Sequence, residues 1–219
     1  EGKSRYEYYT YEYAGMDEKG NAMWYTDEKD DNGNVIGKTT TTKYSEATKY
    51  FLGKQALPDF NGGFNTTFNY KGFDLSIATA FQLGGWAYDY DYLDGMSSSF
   101  YVGHNKDMWK TFNPETGTGS LPIWNANNNS NSFTQASDLN LIKASYFSIR
   151  NITIGYTFPK SMTQRWGIGA LRIFATGDNL ALWSKRQGFD PRVSMAGSSS
   201  AYGGYAPMRV ITGGINLTF

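Results

Sequence analysis

Residues 208–219, Met-Arg-Val-Ile-Thr-Gly-Gly-Ile-Asn-Leu-Thr-Phe, constrain the fold most. Drawn as an extended strand, they place Ile211, Gly213, Ile215, Leu217 and Phe219 on one face and Val210, Thr212, Gly214, Asn216 and Thr218 on the other. The first face is apolar but for a glycine, and the second is mostly small and polar. A half-buried strand of a soluble sheet alternates in the same way. Length and position favour a membrane strand, which needs about 9–11 residues. The pattern stops with the chain on an aromatic residue, so Phe219 is expected to be the terminal residue of a barrel.

Composition agrees with strands. The 219 residues suffice for one large all-β domain or two small ones. Seventeen Tyr, fourteen Phe, six Trp and 25 Gly suit strands and turns better than helices. Twenty basic and twenty acidic side chains cancel, against the basic footprint of a nucleic-acid binder. There is no cysteine and one histidine, His104, so disulfides and thiolate metal sites are excluded, and little remains for histidine metal sites or a Ser-His-Asp triad. No cofactor is expected. No apolar run of 18 residues exists to cross a membrane as a helix. The negative mean hydropathy of −0.52 fits a soluble chain and a barrel equally, because only alternate barrel residues face lipid. A start at Glu1 without Met or signal peptide suggests a processed product or a fragment.

Along the chain, residues 2–13 are dense in tyrosine and predict a strand, with tyrosines at both parities. Residues 17–21 and 27–34 predict turns around a short strand at 22–26, with Asn32-Gly33 a tight corner. An EF-hand reading of the second turn puts Gly33 at position 6 but Thr39, not Glu, at position 12, which favours a plain hairpin. Residues 39–51 are polar and give no clear element. Phe64, Thr66, Phe68 and Tyr70, then Phe73, Leu75, Ile77, Thr79 and Phe81, mark the apolar faces of two arms joined by a tight turn at 70–73. Residues 143–158 and 170–183 predict two more strands, connected through 159–167.

Six long strands therefore have connections that alternate strictly: long at about 14–60, tight at 70–73, long at 84–142, short at 159–167, long at 184–207. This is the pattern of a transmembrane barrel with short periplasmic turns and long outer loops. Six strands cannot close one, since the smallest single-chain bacterial barrels have about eight. Partner chains or further strands must complete it.

The residues also resemble a family. Ser145-Tyr-Phe-Ser-Ile-Arg-Asn-Ile-Thr-Ile-Gly-Tyr-Thr-Phe-Pro159 resembles the YLRLKNLTLGYTLP block of the SusC-like (RagA-like) TonB-dependent transporters of Bacteroidota. Gly169-Ala-Leu-Arg-Ile-Phe-Ala-Thr-Gly-Asp-Asn-Leu180 is similar to their LRVYVSGQNLF block, and Gly188-Phe-Asp-Pro191 to their GFDPE. The ending Gly213–Phe219, the stretch Tyr11–Gly15 with Asp17–Asn21, and Pro58–Phe64 with Tyr70–Leu75 match further blocks in order. Asp178 and Arg192 depart from the family's usual Gln and acidic residue. The resemblance implies an all-β antiparallel transmembrane β-barrel segment, residues 1–219 being the C-terminal portion of a 22-stranded barrel without its plug domain and TonB box. It implies outer-membrane import of glycan, oligosaccharide or peptide. The implied partners are the rest of the transporter, a SusD-like lipoprotein, the TonB complex, and the lipid bilayer with its lipopolysaccharide, and no nucleic acid.

For ligand contact the candidates are Trp86, Tyr88, Tyr90, Tyr92 and Trp109, as rings that stack on sugars or touch a lid. The competing reading of the 86–92 cluster is an outer aromatic girdle. Asp178 is expected to face a lumen or pair with a neighbouring strand, since a charge in lipid is costly. Arg150 and Arg172 are expected at the lumen or a rim, Asp17, Asp30 and Asp31 in turns, and His104 in solvent. No nucleophile–base pair or phosphate-cradling loop is present, so no enzyme is expected. The alternatives are a soluble carbohydrate-binding β-sandwich module, or a small or oligomeric porin.

Overall fold

The computed structural model describes residues 2–97, 103–125, 127, 129–193 and 207–219. Parts of the two long connections, 98–102 and 194–206, and residues 126 and 128 of the asparagine tract lie outside the described residues. In chain order the strands are β1 (Glu7–Tyr11), β2 (Tyr13–Met16), β3 (Ala22–Lys29), β4 (Val35–Thr41), β5 (Lys49–Gln55), β6 (Phe60–Gly62), β7 (Asn65–Tyr70), β8 (Phe73–Leu83) and β9 (Trp86–Tyr88). The short helix α1 (Tyr90–Gly95) follows, then β10 (Leu141–Lys143), β11 (Tyr146–Thr157), helix α2 (Lys160–Thr163), β12 (Ala170–Ser184) and β13 (Val210–Thr218). The chain forms two units: the described residues of Glu1–Leu57 and Gly85–Lys143, and those of Pro58–Gly84, Ala144–Pro191 and Gly204–Phe219.

The second unit is one antiparallel sheet in the order β13-β12-β11-β8, with β6 and β7 successively on the far side of β8. It holds six strands in five positions. The final strand pairs with β12 from Ala170↔Thr218 to Asp178↔Val210, the neighbour expected for it. Two tight corners join strands at one end. Lys71 (φ 45°) and Gly72 (φ 88°) both adopt left-handed backbone, as a two-residue hairpin turn requires. Thr157 donates its N–H to the Gly72 carbonyl at 2.7 Å, and a Cβ on Gly72 would meet the Thr157 carbonyl at 2.5 Å. The other corner runs through Pro159, α2 and a 3-10 turn at Gln164–Trp166, and ends on left-handed Gly167. Proline starts this turn because its missing N–H leaves nothing unsatisfied there.

The strand expected at 2–13 is not a member of this sheet. Its residues form β1, paired with β5, and β2, paired with β3, in the first unit. The physical reason is that tyrosines stand at both parities, so the segment has no wholly apolar face to turn to lipid. Tyr8 and Thr10 turn inward on one parity, while Tyr9, on the other, is 56% exposed beside Phe51. The polar stretch 39–51, unread from sequence, supplies the end of β4, a 3-10 turn at Tyr44–Glu46 and the start of β5.

The first unit has a small core of its own. Ala22, Trp24, Met96 and Phe133 are buried together, ringed by Tyr11, Tyr13, Tyr44 and Tyr92. Two of its hairpin turns repeat one design. Asp17 accepts from the backbone N–H of Lys19 and Asn21 and from Asn21 Nδ2, and Asp30 accepts in the same way from Asn32 and Asn34. These carboxylates stabilise the turns locally, which is the hairpin reading of residues 27–34. Each loop contains a left-handed glycine, Gly20 and Gly33.

Trp24 is wholly buried at the centre of the core. Trp24→Ala should cost about 3–5 kcal/mol. In the full protein, amide exchange in β3 and α1 should speed up about a hundredfold or more, with exchange in β8, β11 and β12 unchanged.

Candidate functional site

The two faces of the second unit's sheet are chemically opposite. One carries rows of apolar side chains in cross-strand register. Phe68, Leu75, Ile154, Ala175 and Gly213 form one row, and Thr66, Ile77, Ile152, Gly177 and Ile211 the next. Nothing among the described residues covers this face: Phe68 is 61% exposed, Ile154 55%, Ile211 76% and Ile215 66%. A soluble sandwich would bury it against a second sheet. Lipid is the medium in which such a face costs nothing.

Aromatic rings border the apolar rows at both margins. Near the tight turns Phe73 packs on Tyr156 at 4.4 Å between ring centroids, Tyr156 on Phe158 at 4.9 Å, and Trp166 lies beyond. At the other end Phe60 and Phe64 pack on Phe81, and Phe147 on Trp183. Phe73 and Phe81 are eight residues apart, about 26 Å along the strand, or ~20 Å in height at the usual strand tilt, against an apolar band of ~25 Å. These are the girdles of a membrane wall.

The other face is polar, and several of its side chains pair with one another across strands. Arg172 on β12 reaches across β11 to Asp74 on β8, donating Nε to Oδ1 at 3.1 Å and Nη2 to Oδ2 at 2.6 Å. The strand between presents Gly155, where a Cβ would land on both charged groups. The glycine is therefore the passage for a bidentate pair spanning three strands. The Arg172 guanidinium also lies 5.2 Å from the ring of Phe174, and that ring in turn covers Gly214. Thr153 and Thr176 bond at 2.9 Å, and Asn151 Nδ2 donates to Asp178 Oδ1 at 2.8 Å. Asp178 thus pairs with the neighbouring strand, as expected. Sequence reading placed Arg172 at the lumen or a rim but missed its partner. A lone glycine between two strands of opposite charge was the available signal. Beside Asp178, where the strands slip register, the sheet opens into a concavity of about 770 Å³.

The residues singled out for ligand contact lie in the first unit. Trp86 is half-buried between two lysines, with Lys54 Nζ 4.9 Å and Lys143 Nζ 5.9 Å from its ring. Tyr8 donates its hydroxyl to the Trp86 carbonyl at 2.9 Å. Tyr88 stacks on Tyr90 at 5.6 Å and shares a hydrogen bond with Thr10. Asp89 caps α1 by accepting from the Tyr92 N–H, and Tyr92 packs on the Trp24 core with its hydroxyl on Asp107. Trp109 stands apart, 94% exposed. The structure brings Tyr88 and Tyr90 together, gives Trp86 and Tyr92 packing roles and leaves Tyr90 and Trp109 accessible. His104 meets Trp124 edge-on at 5.7 Å.

No protein-family model matches the chain. Among curated proteins, TonB-dependent receptor P3 of Formosa agariphila is 24% identical over 233 residues, covering all of this chain and 22% of that protein. TonB-dependent receptor SusC of Bacteroides thetaiotaomicron is 28% identical over 182 residues, 79% of this chain and 17% of SusC. Among solved structures, the RagAB peptide importer in its closed-closed state superposes with a TM-score of 0.75 at 26% identity, over 97% of this chain and 23% of that one. Its open-open state gives 0.75 at 25% identity. In sequence and in fold the chain is similar to part of the SusC-like TonB-dependent receptors. It spans about a fifth of the length of the relatives it matches. Those relatives are receptors and transporters. The receptor's apolar sheet face and girdles belong in the bacterial outer membrane.

The face assignment is testable at Ile77, midway between the girdles. Ile77→Arg should destabilise the full receptor by about 2–4 kcal/mol in the bilayer, read as a lower urea midpoint in refolding. Ser76→Arg, one residue along on the polar face, should leave that midpoint nearly unchanged.

The buried phenols of the first unit make it sensitive to alkali. Burial pushes Tyr13 and Tyr44 up to about 12 and raises Tyr8 and Tyr88 as well. A folded pKa above the ordinary ~10 means the neutral form favours the fold. That stability is full below pH ~10 and is lost as pH climbs to about 12. Tyrosinate absorbance should rise late, together with protease nicking of the first unit, while the heat-modifiable migration of the wall persists.

Proposed function

We propose that the receptor imports a nutrient across the outer membrane, with this chain supplying part of the barrel wall and outer loops. The observation that carries the reading is the sheet with one apolar face uncovered by any described residue and bounded by girdles, and the other lined by polar groups. Residues 1–219 are taken as the C-terminal portion of a 22-stranded barrel whose plug and TonB-contacting segment lie elsewhere in the protein. The substrate is a glycan, an oligosaccharide or a peptide, handed over by a SusD-like lipoprotein; the similarity to the RagAB peptide importer supports the import reading. Lipid and lipopolysaccharide surround the wall. Tyr90 and Trp109, and with them Trp86, Tyr88 and Tyr92, offer rings to the substrate or the lipoprotein. Passage needs plug movement and no covalent chemistry on this chain.

In cells carrying the full receptor, uptake of its substrate should stop when TonB is removed, and the lipoprotein should co-purify from detergent. Trp109→Ala should lower uptake severalfold, on the ~1–3 kcal/mol scale of an exposed stacking ring, without altering heat-modifiable migration. Uptake that continues without TonB would sink the reading.

A further inference from the structure

Three strand positions of the sheet lose register at one level. β6 and β7 part at Gly63 and Phe64, β11 slips by one residue against both neighbours between Ile149 and Asn151, and β12 carries Asn179 in left-handed backbone at φ 51°. Bulges and non-glycine residues with positive φ are costly and gather at functional sites. Here they open the concavity of about 770 Å³ on the polar face. Gly62, Gly63, Ala78 and Ala80 keep it clear of side chains, and Asn65, Arg150 and Asp178 supply polar groups at its edge.

Arg150 decides what this space accepts. It is exposed, and among the described residues it has neither ion pair nor hydrogen bond. Both strands beside it, β8 and β12, are present. No further strand of the sheet can bring it a counter-ion, so only a group approaching from the polar side can. Elsewhere on that face the other arginine of the strands, Arg172, is matched to a carboxylate. A guanidinium presents a planar fork that fits a carboxylate in two parallel bonds. Asp178 uses one oxygen on Asn151 and keeps the other for a donor. Its charge also disfavours a polyanion beside Arg150.

We propose that this bulged layer is a binding station for a ligand with a single carboxylate flanked by neutral hydrogen-bond donors. Arg150 holds the carboxylate, and Asp178 accepts from a neighbouring amide N–H or hydroxyl. A peptide C-terminus and a uronate sugar share this chemistry. The station deepens the import reading and rests on it for the ligand's access to this face.

The test is equilibrium binding to the full receptor in detergent, which needs neither TonB nor lipoprotein, so a failure of import leaves it intact. The probes are a free-acid tripeptide against its C-terminal amide, and a trisaccharide carrying one uronate against the neutral trihexose. The receptor should prefer the acid member of one pair, and that pair identifies the source. R150Q should lose at least about tenfold of that preference, and R150K, which keeps the charge without the fork, should lose less. Heat-modifiable migration confirms that each variant is folded. An unaltered receptor with no preference in either pair, or R150Q and R150K both folded with the preference intact, overturns the proposal.

Discussion

Every backbone N–H and C=O within a bilayer must find a partner in the protein, because hydrocarbon offers none. The second unit is shaped by that requirement. Its strands are long, antiparallel and almost continuously paired, from Tyr70↔Phe73 at the tight turn to Phe81↔Phe147↔Trp183 at the far girdle. Once the backbone is satisfied by sheet, the side chains have two media to meet. Period-two alternation assigns Leu75, Ile77, Ile152 and Ile154 to lipid and Asp74, Ser76, Asn151 and Thr153 to the polar side. The glycines follow from the same geometry. Gly155 makes room for the Asp74–Arg172 pair, and Gly214 for the ring of Phe174. An ion pair spanning three strands resists sliding of one strand past the next, because a two-residue slip would separate the two groups while preserving every face.

The first unit solves a different problem with the same residue types. It excludes water with a core of conventional kind, four buried residues including Trp24, and its strands are short. Tyrosines pack into this unit because their hydroxyls can be satisfied: Tyr44, beside the Trp24 core, on the Ala136 carbonyl, and away from that core Tyr8 on the Trp86 carbonyl and Tyr50 on Asp27. Lysines lie over rings, as Lys38 does between Tyr25 and Tyr50 while also pairing with Glu12. An aromatic count of 17% therefore serves two purposes in one chain: girdles in the second unit and a polar-bordered core in the first.

This division explains what could be read from sequence. The wall strands were legible because a two-medium environment imposes a strict period, and the pairings at 64–81, 143–158, 170–183 and 208–219 follow from it. The tight turns were legible from Lys71-Gly72 and Pro159. Residues 2–13 were misassigned because tyrosine is tolerated in either environment, so its position carries no face information. Residues 39–51 were unreadable because β4, exposed along nearly its whole length, has no buried face to impose a pattern. At the candidate site, Asp178 was anticipated from the cost of a charge in lipid. The Asp74–Arg172 pair was not, since it joins residues 98 apart in sequence and depends on register. The register breaks at Arg150 and Asn179 have no sequence signature beyond an asparagine that tolerates left-handed backbone.

The sheet's edges complete the physical picture. Among the described residues β13 pairs only with β12, and β6 and β7 pair only with β8, so each side of the sheet presents a row of unpaired backbone groups. In water such edges invite aggregation, and in lipid each unpaired group costs several kcal/mol. Five strand positions cannot curl to satisfy both edges, because the smallest barrels have about eight strands. The apolar alternation of β13 is thus only half of what makes it a membrane strand. The other half is a neighbour on its free edge, and the stability of this wall is the stability of the closed ring in which it sits.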